Sequence, residues 1–465
     1  MQPSEAIESW HAWLEAYPDL ASTFLDRLYQ RQRDLDAVFA GEPTRTFARP
    51  AFLSATQHRL VRDSSQVLLD CAEVVIACIH DDPQLRAQIP MGPGEWELLR
   101  PCPGLKRQQV IARPDAFLVD DGIQYLEFNA ESPAAVAWTD LFEKTFRELE
   151  PMQELPWARK TVGSQCQQLL LDAILDAGRA YGLRDAPRVA VVDWKEVPTI
   201  REHHLVARCL EARGASASVV DPCELEIRGD TLYAGGQPVD LIYRRVILGE
   251  LLARRDEPGP AAMLEAVRRN LVCIVNPFIT RVPGSKAFMA LLSHPRNEHL
   301  FSAEQVKMLR AVVPWTRVLT AGPETLFGQQ GELLELARIH RERLVIKPTY
   351  SYGGKGVSIG PETDAGAWDA VIDKAASEPG GWTVQRYVPI PEEPFPVFDP
   401  DMSTTPLKVS LNPYVFGGRY AGALVRLSRS SVINVSAGGG VVPALTLPEK
   451  SQMGVVPIFA DPSCP

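Results

Sequence analysis

Residues 113–129, RPDAFLVDDGIQYLEFN, read as a β-hairpin with a core side and a working side. Asp120, Asp121 and Gly122 suit a three-residue loop, because glycine takes the left-handed backbone position that such a loop commonly requires. With Asp121 at its centre, Asp115 faces Glu127 and Arg113 faces Asn129, and all four share one face. Ala116, Leu118, Leu126 and Phe128 fall on the other, apolar face. Two carboxylates and a carboxamide oxygen are hard ligands of the kind Mg²⁺ accepts when phosphate oxygens and waters complete its octahedron. Arg113 stands where it could hold a phosphate. The plainer alternative is a solvated face with a cross-strand ion pair, worth at most about 1 kcal/mol if exposed. Against it, two carboxylates placed opposite each other repel unless a cation or proton relieves them.

Downstream of this hairpin, phosphate-handling features recur. Lys347 ends an apolar strand, LVIKP, and YSYGGKGV follows with Gly353, Gly354, Lys355 and Gly356. Glycines let the backbone bend and approach phosphate oxygens, while lysine supplies a mobile charge. It is not a Walker loop, because Gly356 stands where Ser or Thr is needed. Lys286 opens an apolar-faced helix in VPGSKAFMALL, with Ser285 as its cap; taken alone, it reads as a solvated helix lysine. TVQRYVP offers Gln385 on an edge strand whose backbone could meet adenine, with Glu392 and Glu393 beyond it as candidates for a ribose or as surface acids. YAGALVRLSRSSVINVSAGGG places Arg426, Arg429 and Asn434 before three glycines, a combination suited to an anion or to an ordinary polar strand and loop.

Upstream, residues 1 to about 110 read as helical, with apolar spacing of three and four in WHAWLEAYPDLASTFLDRLYQ and SSQVLLDCAEVVIACIHDD. Between these regions, RVAVVDW, SASVVD, VDLIYRRV and LVCIVNP alternate with helical sequence, as in a Rossmann-like parallel sheet. No G-x-G-x-x-G accompanies it, so a nucleotide within that unit is not expected. The division that follows is a helical N-terminal region over 1–185 containing the hairpin at about 111–131, a Rossmann-like unit over 186–276, and nucleotide-binding lobes over 277–465.

A length of 465 residues exceeds what one hydrophobic core usually supports, and 45% apolar with 23% charged residues describes a chain that folds. A formal charge of −10 gives no general attraction for nucleic acid or anionic membranes. The acidic amino terminus and the lack of a long apolar run point to a cytoplasmic protein without a membrane segment. Eight cysteines lie scattered without metal-ligand spacing, and the neighbouring His203 and His204 diverge by about 100° on a helix, so neither predicts a metal site.

Taken together, these motifs resemble the circularly permuted ATP-grasp ligases, particularly the synthetase domain of glutathionylspermidine synthetases, and more distantly eukaryotic glutathione synthetase. The likeness spans roughly residues 100–440. RPDAFLVDDGIQYLEFNAES looks like that family's Arg-x-Asp hairpin ending in Glu-x-Asn, and the resemblance implies Asp115, Glu127 and Asn129 as Mg²⁺ ligands and Arg113 as a catalytic phosphate contact. NPFITRVPGSKAFMALL and VIKPTYSYGGKGV resemble the two nucleotide lysines, Lys286 and Lys347, and the phosphate-covering loop. VQRYVP resembles the hinge strand, with Gln385 at the adenine, and Glu392 just beyond it is the candidate acid for the ribose. The metal hairpin precedes the lysines, which is the permuted order.

The fold implied is α/β (α+β): a permuted ATP-grasp with a Rossmann-like pre-ATP-grasp domain and a helical N-terminal region. The activity implied uses ATP and Mg²⁺ to join a small-molecule or peptide carboxylate to an amine through an acylphosphate; Arg426 is a second candidate catalytic cation, and the oligomeric state is left open, a homodimer among the options. A small-molecule kinase and a silent nucleotide-binding protein are the rivals. No amino-terminal Cys/His pair supports the amidase of bifunctional relatives. The ending RLSRSSVINVSAGGGVVP departs from the glutathionylspermidine pattern.

Overall fold

The hairpin strands pair with each other and with the far end of the chain. The computed structural model describes residues 1–449 apart from 121, 185, 399–401 and 436–437; the tail VVPIFADPSCP and the loop centre Asp121 lie outside the described residues. In chain order, β1 is Ala51–Leu53, β2 Ile111–Val119 and β3 Gly122–Asn129. The parallel unit supplies β4 (Arg188–Val192), β5 (Ser216–Val220), β6 (Leu241–Arg244) and β7 (Cys273–Val275). Next come β8 (Thr316–Val318), β9 (Leu344–Pro348), β10 (Ser358–Ile359) and β11 (Trp382–Arg386). The last group is β12 (Glu392–Phe398), β13 (Met402–Phe416), β14 (Arg419–Ser428) and β15 (Gly440–Thr446).

The large sheet runs β1-β15-β14-β13-β2-β3, with β12 also on β13. Strand β13 serves two partners because it is long: Met402–Lys408 takes β12, while Leu411 and Phe416 pair with Ala116 and Ile111 of β2. The permuted order is thereby closed in space, since a hairpin from the first third of the chain completes a sheet built by the last. The N-terminal region is helical as its periodicity predicts, including Ala55–Cys78 capped by Ser54. It also contributes β1, parallel to β15, which the helical reading did not foresee.

The Rossmann-like expectation corresponds to a parallel sheet in the order β7-β6-β4-β5. A third, antiparallel sheet, β8-β11-β9-β10, forms a lobe with its own core of Leu319, Leu336, Leu344, Ile346, Trp368, Ile372 and Val384. Here one expectation fails: β11, which carries Gln385, has partners on both sides and is not an edge strand. The three-residue β8 is too short to announce itself in sequence. Among the described residues no helix is long and apolar enough to cross a membrane.

The hairpin register is part expectation and part correction. Arg113 pairs with Asn129 and Asp115 with Glu127, as read. Between Asp115 and Ala116 the register shifts, so Ala116 meets Tyr125 and Val119 meets Gly122. The connection is one residue shorter than supposed, and the missing residue reappears as a bulge at Leu126. Tyr125, fully buried and hydrogen-bonded to Ser64 Oγ at 2.8 Å, takes the core position assigned to Leu126. Leu126 itself is half-buried.

Candidate active site

The bulge turns the Leu126 carbonyl towards the small lobe, where Lys347 Nζ approaches it at 3.4 Å and Gln385 Nε2 at 3.3 Å. Lys347 also donates to Gln385 Oε1 at 2.8 Å, and Gln385 Nε2 donates to Thr316 Oγ1 at 2.9 Å. Gln385 is buried and engaged on both ends of its carboxamide. Burial lowers the Lys347 pKa to about 8, helped by the charge of Lys286 and opposed by Glu127 and Asp115. A lysine with this proton affinity readily accepts an anion, which would restore its charge.

Lys286 is not the solvated residue that its helix position suggested. Only 8% exposed, it stands at the start of Lys286–Leu292, where Ser285 Oγ accepts from Ala287 N at 3.2 Å. Its Nζ donates to Ser351 O at 2.6 Å and lies 3.4 Å from Glu127 Oε2. One ammonium thus links the hairpin to the glycine loop.

Asp115 is 3% exposed, and both its oxygens are taken. Arg113 Nε donates to Oδ1 at 3.1 Å and Arg426 NH2 to Oδ2 at 2.6 Å. Burial would raise the Asp115 carboxyl, but the two guanidinium groups outweigh it and hold the pKa at about 2. The carboxylate repulsion anticipated across the hairpin is therefore relieved by side-chain cations. Arg426, expected to meet substrate, is bound to Asp115 and to Asn412 Oδ1 at 2.8 Å, and its Nε is buried without a partner. Asn129 Nδ2 is likewise buried and unpartnered. Asn412 went unnoticed in the sequence, where an asparagine in the strand sequence LNPYV carries no distinguishing signal.

The glycine loop is held from outside its own lobe. Asn434 Nδ2 donates to Gly353 O at 3.0 Å, and the Tyr352 hydroxyl donates to Glu250 Oε1 at 3.2 Å. Gly354 has φ +74°, and a Cβ there would sit 2.2 Å from Val432 Cγ1, so both conformation and space require glycine. Lys355 is exposed, with Nζ 5.8 Å from the Tyr352 ring centre. Gly356 also has positive φ. Of the two acids beyond Gln385, Glu393 pairs with buried Arg49, leaving Glu392 exposed on β12. His203 is buried, and its Nε2 accepts from Arg245 Nε at 3.2 Å.

Four cationic side chains, Arg113, Lys286, Lys347 and Arg426, thus face two carboxylates on a chain of net charge −10. A local positive excess between a small antiparallel lobe and a large sheet, covered by a glycine loop, defines an ATP-grasp arrangement in permuted order. The chain belongs to the circularly permuted ATP-grasp type 2 family, whose pattern matches residues 185–428. That span includes both lysines, the glycine loop, Gln385 and Arg426, and leaves out the hairpin.

Over 393 residues the chain is 26% identical to a Frankia casuarinae protein named "Putative glutamate--cysteine ligase 2-2", covering 78% of this chain and 42% of that protein. A Frankia alni protein, "Putative glutamate--cysteine ligase 2-3", is 27% identical over 338 residues, covering 69% and 36% respectively. The chain spans less than half the length of these relatives. A glutathione synthetase-like effector from Globodera pallida, solved in its apo form, has the same fold, with a TM-score of 0.63 at 11% identity over 92% of this chain and 97% of that one.

Proposed function

We propose that this protein is an ATP- and Mg²⁺-dependent ligase that joins a carboxylate to an amine through an acylphosphate. The observation that carries the reading is the meeting of the hairpin with both lysines: Lys286 Nζ lies 3.4 Å from Glu127, and Lys347 Nζ 3.4 Å from the Leu126 carbonyl. The names of the Frankia relatives favour an amino-acid or peptide carboxylate as the acid and an amino group as the acceptor. Gln385 at the base of the cleft and Glu392 at its rim are proposed at the adenine and ribose.

The residues fit a Mg²⁺–nucleotide. Asn129 has a buried Nδ2 with no acceptor, and Arg426 has a buried Nε in the same condition, so two donors await oxygens that phosphates would supply. Glu127 and Asn129, with Asp115 behind them, are the oxygen donors that would hold the ion. Bound there, Mg²⁺ would neutralise phosphate charge.

Lys286 and Lys347 then hold the phosphates against the hairpin. Arg113, its Nε fixed on Asp115, stabilises charge on the transferring phosphoryl group. The substrate carboxylate oxygen attacks the γ-phosphorus as the bond to ADP breaks. The amine then attacks the acyl carbon, phosphate leaves, and the amine loses a proton. Residues 350–357 exclude water, which would otherwise hydrolyse the acylphosphate. Alignment and charge neutralisation suffice, so no side-chain nucleophile is required.

The test is a screen of carboxylates and amines for ATP-dependent mass gain, with ADP release followed in parallel. Glu127→Ala should abolish substrate-dependent ADP release while the circular dichroism spectrum stays unchanged. Retained turnover would remove the metal assignment. A stable phosphorylated product formed without any amine would replace the ligase by a kinase.

A further inference from the structure

Open parallel sheets bind ligands outside the carboxyl ends of their strands, where the chain order reverses. In the order β7-β6-β4-β5 that reversal falls between β4 and β6. The residues there are Asp193 after β4, and Arg244, Arg245 and Val246 at and beyond the end of β6. Residues 131–137, leaving the hairpin, pack against this crevice. Arg245 NH1 donates to Pro133 O at 2.6 Å, and Glu131 Oε2 accepts from Leu248 N at 3.0 Å and Arg244 NH1 at 3.3 Å.

Glu202 closes the arrangement. It lies in the first turn of Ile200–Glu211, the helix following β4, where a doubly wound sheet would offer N–H groups to a phosphate. A buried carboxylate at that place would repel a phosphate. Instead it accepts from Ala135 N at 3.1 Å and Ala137 N at 2.9 Å. Ala135 is held at φ +62°, a conformation alanine rarely adopts. The Ala134 carbonyl, in the same peptide group as Ala135 N, faces the large sheet and accepts from Arg113 NH1 at 3.1 Å and from the Tyr414 hydroxyl at 3.0 Å. Arg113 is therefore fixed at both ends, Nε on Asp115 and NH1 on a carbonyl whose position Glu202 sets.

We propose that the parallel sheet uses its ligand crevice as a clamp, and that Glu202 is a positioning residue for Arg113, acting through loop 133–137. The catalytic role of Arg113 rests on the ligase reading; the mechanical link does not. Glu202→Gln keeps one acceptor oxygen but turns an NH2 group against the N–H of either Ala135 or Ala137, and so displaces the loop. Turnover of Mg²⁺–ATP to ADP should fall about tenfold or more with little change in KM for ATP, the signature of a misplaced transition-state contact. Tyr414→Phe, which removes one donor from the same carbonyl and leaves the buried ring in place, should act in the same direction by about two- to tenfold.

In a double-mutant cycle, Glu202→Gln in an Arg113→Ala background should cost nothing further. Losses that multiply, or unchanged turnover in both Glu202→Gln and Tyr414→Phe, would overturn the proposal. Hydrogen exchange on the same full-length variants needs no turnover. Glu202→Gln should speed exchange in residues 131–138 and also in 111–119, and acceleration confined to 131–138 would break the link. Should the unmodified protein form no ADP with any acid tested, the ligase reading fails while the exchange result still decides the clamp.

Discussion

At Lys347, proton affinity is tied to stability and, on the proposed function, to nucleotide binding. Its pKa of about 8 means that a growing share of the apo protein carries a neutral amine above that pH. Affinity for ATP should therefore fall as pH rises from 7 to 9, by up to about tenfold per unit above the pKa. Lys347→Arg should flatten the profile, because a guanidinium keeps its proton throughout. Titrating a fluorescent ATP analogue against both proteins checks this; parallel profiles would show that Lys347 does not meet phosphate. Stability should move the other way. The folded pKa lies below the ordinary lysine value of 10.5, so between pH 8 and 10.5 the unfolded chain binds the extra proton and the apo fold gains stability as pH rises. Both lysines were legible in the sequence because each sits in a local motif, one at a helix start and one at a strand end before glycines. Burial of Lys286 was not, since the covering Glu127 and Ser351 come from elements far away in the chain.

Among elements, the open end of the hairpin is tied to the parallel unit by the carboxamide of Asn276, which shares the Ile111 and Ala130 carbonyls with Gln109 Nε2. Asn276 Oδ1 accepts from Val110 N at 3.1 Å and Ile111 N at 2.9 Å, while Nδ2 donates to Ile111 O and Ala130 O, both at 2.7 Å. It closes the open end of the hairpin as a missing strand would. Asn276→Ala would take the acceptor from Ile111 N, while Val110 N keeps Gln108 O and the Ile111 and Ala130 carbonyls keep Gln109 Nε2, and should lower unfolding free energy by about 1–3 kcal/mol. The denaturant midpoint should fall with little change in slope; a loss under about 1 kcal/mol would mean that water replaces the amide there. The asparagine was visible in LVCIVNP, but its partners were not, because they lie some 150 residues upstream. The Leu126 bulge was hidden for a related reason. Alternation fits either register near the turn, and only packing of Tyr125 under Ser64 and pairing of β2 with β13 decide between them. The open end of the hairpin was read in its true register because the shorter turn and the added bulge residue cancel before Asp115 is reached. The edge-strand reading of Gln385 failed on β8, whose three residues carry no pattern of their own.

At the scale of the molecule, the two hydrophobic cores divide the labour. One unites the N-terminal helices, the parallel unit and the large sheet, while the other lies within the small lobe. Between them the glycine loop is stitched to the larger body by Lys286 on Ser351, Tyr352 on Glu250 and Asn434 on Gly353. These are polar contacts with little apolar burial, so the loop should open at a lower free energy than either core. A nucleotide contacting both bodies adds its binding energy to the closed form alone, about 2.7 kcal/mol at one hundred times Kd. Hydrogen exchange should accordingly slow in residues 349–357 and 382–388 when Mg²⁺ and ATP are added together. It should stay unchanged in β4 and β6, against whose crevice residues 131–137 pack in either state. Glu127→Ala should lose most of the Mg²⁺-dependent part of this protection and keep the part due to the lysines. Slowing in β4 and β6 without slowing in the glycine loop would place the nucleotide on the parallel sheet instead, and with it the wrong half of the molecule would have been assigned to phosphate.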